Sequence, residues 1–254
     1  MSVGERAGES ADVHIAGRVA EHAGQSASAR VAGPAGLRLG VFGGAFDPPH
    51  LAHHALAQAA LAQFQLDQVL VMPTGQAWHK SRDLTGAEHR LAMARLAFAD
   101  VPQVQVDARE TQRTGPTYTF DTLTELRQEH PHAELFLFIG SDQAHAFRTW
   151  HQWQGILKLT TVVEARREVV TGADASVGSA REVSQGAQAA QWHNTPQEKP
   201  VVSAVLQMPN MPCNATDIRA SIAQGQPITE WLSASVWHYI QQHRLYQTTL
   251  PQST

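Results

Sequence analysis

A chain of 254 residues that is 43% apolar is long enough to bury one substantial core and far too hydrophobic to stay unfolded throughout. Its formal charge of −4 and its lack of any Lys/Arg run exclude a duplex-binding surface, which needs clustered cations to neutralise phosphates. The lone Cys213 permits neither an internal disulfide nor a cysteine-based zinc site, and the longest apolar runs are strand-length, so composition predicts a soluble, cytoplasmic protein with no nucleic-acid or membrane partner.

In chain order, residues 1–36 lack the apolar core of a signal peptide, and their acidic residues suit a transit peptide poorly; they predict a flexible tail. From Leu37 onward, short aliphatic runs alternate with helical periods, the pattern of βα units on a parallel sheet. Strands are predicted at 37–42, 68–72, 104–106, 134–139, 159–163 and 201–208. The Ala/Leu-rich stretch from Pro48 to Phe64 predicts a first helix, with Asp47 as N-cap and Pro48 at the first helical position. A second helix is expected to open on Thr85 and Glu88 at capping-box spacing, a third to run from Thr119 and stop before Pro131, and a fourth to follow the Gly140-Ser141-Asp142 turn across 143–157. Residues 168–200, rich in Ala, Gly, Ser and Gln, show no apolar period and read as a surface insertion. Two helices, 215–225 and 228–245, are expected to close the chain as a C-terminal helical cap. The fold class is α/β: a Rossmann-like open parallel sheet with helices on both faces and that cap.

Chemistry concentrates where the first strand meets the first helix, in "GGAFDPPHLAHH" from Gly43 to His54. Paired glycines let backbone N–H groups approach a ligand closely, and His50, His53 and His54 fall near the positive end of the predicted helix. This combination predicts an anion site, and phosphate is the natural occupant. Metal binding by His-x-x-His-His and a purely structural role for the histidines are the competing readings; metal sites usually enlist carboxylate or cysteine partners, and only the presumed cap Asp47 is near in sequence. Neither Gly-x-x-x-x-Gly-Lys-Ser/Thr nor Gly-x-Gly-x-x-Gly follows the first strand, so a P-loop enzyme and a common dinucleotide dehydrogenase are both disfavoured.

"GGAFDPPHLAH" resembles the Gly-Gly-x-Phe-Asp-Pro-x-His-x-Gly-His signature of the nucleotidyltransferase superfamily, and "NATDIR" at 214–219 resembles its late Ser-Ser-Thr-x-Ile-Arg motif, about 165 residues further on and in the right order. "HKSRDLTGAEHRLAMARLA" (79–97), "GPTYTFDTL" (115–123) and "FIGSDQAHAFRTWHQWQGIL" (138–157) are similar to bacterial nicotinate-nucleotide adenylyltransferases. The resemblance covers roughly 37–167 and 201–246 and implies one nucleotidyltransferase domain over 37–254, transfer of AMP from ATP to nicotinate mononucleotide, and Mg²⁺ as cofactor. Two departures stand out: Ala52 occupies the glycine position of His-x-Gly-His, and Asn214-Ala215 replaces Ser-Ser, removing a hydroxyl but no charge.

Carried over position by position, the resemblance puts His50, His53, Lys80 and Arg219 in the catalytic set. It assigns Gly43, Gly44, Phe46, His50, His53, Thr216, Ile218 and Arg219 to ATP, and Lys80, Tyr118, Thr119, Asp142 and Trp150 to the acceptor. Plainer readings accompany some of these, Tyr118 and Thr119 as helix-opening residues and Trp150 as core; Trp153 also reads as core, and Arg90 and Met93 as packing and surface ion pairing, with Arg90 within reach of a phosphate as the alternative. An adenylyltransferase acting on phosphopantetheine or on nicotinamide mononucleotide is the nearest rival, and a nucleotide-binding regulatory module without chemistry the more distant one. The second would have lost His50, His53 or Arg219, and all three are present. Oligomeric state is not legible.

Overall fold

The computed structural model describes residues 36–75, 84–167, 201–226, 228 and 230–247. Six strands form a single parallel sheet: β1 (Arg38–Gly44), β2 (Gln68–Pro73), β3 (Val104–Val106), β4 (Glu134–Gly140), β5 (Thr161–Arg167) and β6 (Ala204–Met208). All six expected strands are present within a few residues of their predicted bounds. Their spatial order is β3-β2-β1-β4-β5-β6, so the chain winds outward one way from β1 and the other way from β4. Such sheets bind ligands at the carboxyl ends of the two strands where the winding reverses. Among the described residues no helix is long and apolar enough to cross a membrane.

Strand side chains alternate between two cores because successive residues point to opposite faces. Phe42, Val69, Val71, Phe136 and Phe138 meet α1 (Leu51–Gln63) through Leu56, Ala57 and Ala60. Leu39, Val41, Leu70, Leu135, Leu137 and Ile139 meet α4 (Thr119–Glu129) through Leu123 and Leu126, and Ile156 of α6 (Trp153–Leu159). Gly40 sits where β1 passes close to its neighbours: a Cβ there would lie 2.8 Å from Leu66 Cδ1 and 3.0 Å from Val69 Cγ2. Leu123 is fully buried, and Leu123→Ala is expected to destabilise the fold by about 2–5 kcal/mol, read as a lower urea midpoint at unchanged m-value.

Several helices depart from expectation for identifiable reasons. Helix α1 starts at Leu51 behind an extended His50, not at Pro48, because Asp47 turns its carboxylate inward instead of capping. The second helix, α2 (Ala87–Ala97), follows Gly86, since Thr85 uses its N–H and carbonyl on Asp47 and Arg90. A short α3 (Arg109–Gln112) was not expected. The anticipated single helix over 143–157 is broken into α5 (Ser141–Ala146), a 3-10 turn at Phe147–Thr149, and α6, with Gln152 at φ 54°. Phe147 and Ile156 are nine positions apart, hence on opposite sides of a straight helix at about 100° per residue, and the break lets both enter the same core.

The C-terminal cap forms from α7 (Ala215–Ala223) and α8 (Ala234–Gln242), the latter capped by Ser233 and much shorter than the predicted 228–245. A third cluster of Met93, Ile218, Ile222, Leu232, Val236 and Ile240 packs this cap against α2.

Candidate active site

Three segments far apart in sequence meet beyond the carboxyl end of β1. The turn 43–50 leaves that strand; Gly43 is exposed at its exit, and a Cβ there would meet nothing within 4 Å. The turn's carbonyls are held by donors from elsewhere. Gly44 O accepts from Thr74 N–H at 2.8 Å, Ala45 O from Arg90 Nη1 at 3.0 Å, and Asp47 O from Arg219 Nη1 at 2.7 Å. Carbonyl dipoles that would repel an anion are thereby paired with N–H groups.

His50 and His53 lie face to face, ring centroids 3.8 Å apart. The His50 backbone N–H donates to His53 Nδ1 at 3.1 Å, so the neutral His53 ring carries its proton on Nε2. Cys213 Sγ lies 3.7 Å from His50 Nδ1, and a thiol donating there places the proton of the neutral His50 ring on Nε2 as well. The α1 terminus contributes less than its sequence suggests: Leu51 N–H donates to Trp231 O, and the N–H groups of His53 and His54 both to His50 O. His54, expected beside the other two, instead places Nε2 3.0 Å from Asp100 Oδ1 and stacks on Phe98, away from the turn.

From the other end of the chain, Asn214 caps α7 by accepting from Asp217 N–H at 2.9 Å, so the residue that departs from Ser-Ser does a capping hydroxyl's work. Thr216 is exposed in that first turn, and Arg219 Nη2 donates to its Oγ1 at 3.2 Å. Ile218 and Phe46 are buried, the first in the cap cluster and the second between Phe42, His53 and Phe98, so neither side chain is presented to a ligand, and the Ile218 N–H donates to Asn214 O at 3.1 Å. Ala52 is also buried, its methyl against protein.

Arg90 overturns the surface-ion-pair reading. It is 2% exposed, with Nε on Thr85 O, Nη1 on Ala45 O and Nη2 on Gly75 O, joining the loops after β1 and β2 to the start of α2. Arg90, Met93 and Ala94 share the buried face of α2, and an arginine at core spacing was the available signal. Asp47 was also missed in its real role: its carboxylate accepts from Tyr246 Oη at 2.7 Å and from Thr85 N–H at 3.3 Å.

The remaining assignments occupy the same edge of the sheet. Tyr118 caps α4 with Thr119 as first helical residue, and the Tyr118 ring packs on His151 at 4.4 Å. Asp142 is exposed in the first turn of α5, just past β4. Trp150 is half-buried against Phe147 at 5.2 Å, and Trp153 lies under the Arg148 guanidinium at 5.5 Å, a packing role. Lys80, the tail 1–35 and the 168–200 stretch lie outside the described residues.

Residues 41–221 match the cytidylyltransferase-like family. A protein of Albidiferax ferrireducens named probable nicotinate-nucleotide adenylyltransferase is 48% identical over 211 residues, covering 83% of this chain and 98% of that protein. One of the same name from Methylibium petroleiphilum is 35% identical, covering 82% and 92%. In fold, the chain is similar to Plasmodium falciparum nicotinic acid mononucleotide adenylyltransferase complexed with NaAD, at a TM-score of 0.60 and 14% identity over 83% of this chain and 97% of the other. The chain therefore belongs to the nicotinate-nucleotide adenylyltransferase family of cytidylyltransferase-like proteins.

Proposed function

We propose that the chain transfers AMP from ATP to nicotinate mononucleotide, giving nicotinate adenine dinucleotide and pyrophosphate, a step of NAD biosynthesis. The observation that carries this is the joining of His50 and His53 to Arg219 through the Asp47 turn, 172 residues apart in sequence for Asp47 and Arg219.

The acceptor's 5′-phosphate is anionic at neutral pH, so no general base is needed. Its oxygen attacks the α-phosphorus in line, the bond from that phosphorus to the bridging oxygen breaks, and pyrophosphate leaves with the electron pair. The protein's task is to place two polyanions together and stabilise the charge that builds on the α-phosphate and leaving group. In this reading the Nε2–H groups of His50 and His53 donate to the α- and β-phosphates, the N–H groups at Gly43 and Gly44 line the entry, and Arg219 with the Thr216 turn holds the β- and γ-phosphates. Lys80 neutralises developing charge. Tyr118 and Thr119 present helix-end donors to the nicotinate carboxylate, Trp150 stacks on the pyridine ring and Asp142 contacts ribose. Mg²⁺ prefers oxygen ligands, and the one carboxylate in the turn, Asp47, already accepts from Tyr246 and Thr85. The donor set thus fits a metal that arrives on the triphosphate and lowers its charge.

Pyrophosphate release with ATP plus nicotinate mononucleotide, nicotinamide mononucleotide or phosphopantetheine tests the reading; release only with phosphopantetheine would overturn it. The activity is assigned to the domain 37–254. Deleting residues 1–35, or bridging Ala173 to Ala190 with a short glycine linker, is expected to leave turnover within about threefold, since such composition buries too little apolar surface to matter for folding; inactive or insoluble products from both changes would contradict that.

A further inference from the structure

Tyr246 carries none of the site assignments made above, yet its hydroxyl meets the turn at its most buried polar point. Asp47 is 1% exposed, and Tyr246 Oη donates to its Oδ1 at 2.7 Å across 199 residues of sequence. The phenol also lies 3.9 Å from Met93 Sδ, where α2 and the cap meet. Burial and the adjacent Asp47 carboxylate both push the phenol's pKa well above its ordinary value, so the proton stays on Tyr246 and the bond keeps one direction. The chain bends sharply at this contact: Arg244 and Tyr246, after α8, adopt φ of 51° and 63°, a left-handed conformation that residues other than glycine rarely take.

We infer that Tyr246 is a positioning residue for the nucleotide site: its hydroxyl fixes the Asp47 carboxylate, and Asp47 in turn fixes the carbonyl on which Arg219 is anchored and the turn that leads into His50. The argument runs through one residue with two ends. Asp47 Oδ1 is held by Tyr246, while Asp47 O is held by Arg219 Nη1 at 2.7 Å. Removing the hydroxyl takes a charge-assisted donor from a buried carboxylate, which shifts as its remaining contacts readjust. The peptide that carries the Arg219 anchor and precedes His50 moves with it. Phosphate donors are useful only when held within a fraction of an ångström of the charge they meet.

This inference rests on the adenylyl-transfer reading for its catalytic consequence and on nucleotide binding alone for its test. Tyr246→Phe keeps the ring and its packing and deletes only the donor. Tyr239→Phe is the control: its hydroxyl meets His89 Nδ1 at 2.9 Å in the same cap, away from the turn. Calorimetric titration with α,β-methylene-ATP and Mg²⁺ is expected to show binding weakened about tenfold in Tyr246→Phe and unchanged within twofold in Tyr239→Phe, with both variants melting within about 3 °C of the parent. At saturating ATP and acceptor, kcat of Tyr246→Phe should fall about tenfold or more while KM for nicotinate mononucleotide stays within twofold. Nucleotide affinity equal to the parent's, or an equal loss in Tyr239→Phe, overturns the inference. A parent protein that binds the analogue and shows the Tyr246 effect, but turns over no nicotinate mononucleotide, overturns the functional reading and leaves the inference standing.

Discussion

Alanine at His50, at His53 or at Arg219 is expected to lower kcat at least about a hundredfold, a loss of about 2.7 kcal/mol of transition-state stabilisation, without unfolding the protein. The size follows from what each group does in a reaction with no covalent intermediate and no general base: nearly all the barrier lowering must come from donors aimed at phosphate oxygens as charge develops. The structure favours comparable losses from all three. His50 and His53 touch, and the His50 N–H bonded to His53 Nδ1 fixes that ring's orientation, so removing either disturbs the pair. Arg219 is half-buried, with one nitrogen on Asp47 O and another on Thr216 Oγ1. Its truncation removes a cation and the tie between the Asp47 turn and the start of α7. Steady-state kinetics beside a thermal melt decides the matter; near-normal turnover in all three variants would sink the assignment.

The second large effect concerns the acceptor. Nicotinate mononucleotide is expected to exceed nicotinamide mononucleotide in kcat/KM by roughly 30- to 1,000-fold, the equivalent of about 2–4 kcal/mol. Tyr118 caps α4 and Thr119 opens it, which places backbone N–H groups and the Thr119 hydroxyl at the helix's positive end. A carboxylate gains charge-assisted bonds from such a cluster. An amide gives up that charge and turns an NH₂ toward donors. Trp150 contributes differently: half-buried against Phe147, it offers a stacking face that accepts either pyridine, so Trp150→Ala should weaken both acceptors and largely keep their ratio. Equal use of the two mononucleotides, or preference for the amide, would show that the α4 terminus does not read the carboxylate.

The sheet was legible because each strand is a short aliphatic run, and in a parallel sheet covered on both faces almost every residue of a strand is buried whatever its partner. Helix limits were less legible where a polar residue had a distant use. Asp47 is an excellent cap by local rules, and a tyrosine 199 residues away claims its carboxylate instead. Thr85 reads as a cap and is taken up by Asp47 and Arg90. The break at Gln152 comes from the need to bring Phe147 and Ile156 to one core, which no window of local sequence displays. In the site, the motifs marked His50, His53 and Arg219, while Arg90 and Cys213 were noted without the roles they take, which are to hold backbone carbonyls and an imidazole nitrogen. Those are pairings of tertiary structure, visible only once the chain is folded.

The tie between the Asp47 turn and the last two helices has a consequence for how the molecule comes to be. A polypeptide emerges from its N-terminus, and domains acquire structure in that order. All six strands and the histidine turn are encoded before residue 210, whereas the Asn214–Arg219 cap, the Trp231 carbonyl that takes Leu51 N–H, and the Tyr246 hydroxyl come after it. A product of premature termination near residue 210 thus carries all six strands, both histidines and the Thr74 and Arg90 contacts to the turn, yet lacks the contacts made by Arg219, Trp231 and Tyr246. Such fragments keep the strand ends and the histidines but none of the ties that the last two helices make to the Asp47 turn, so this corner of the molecule is assembled only by the last part of the chain to be made.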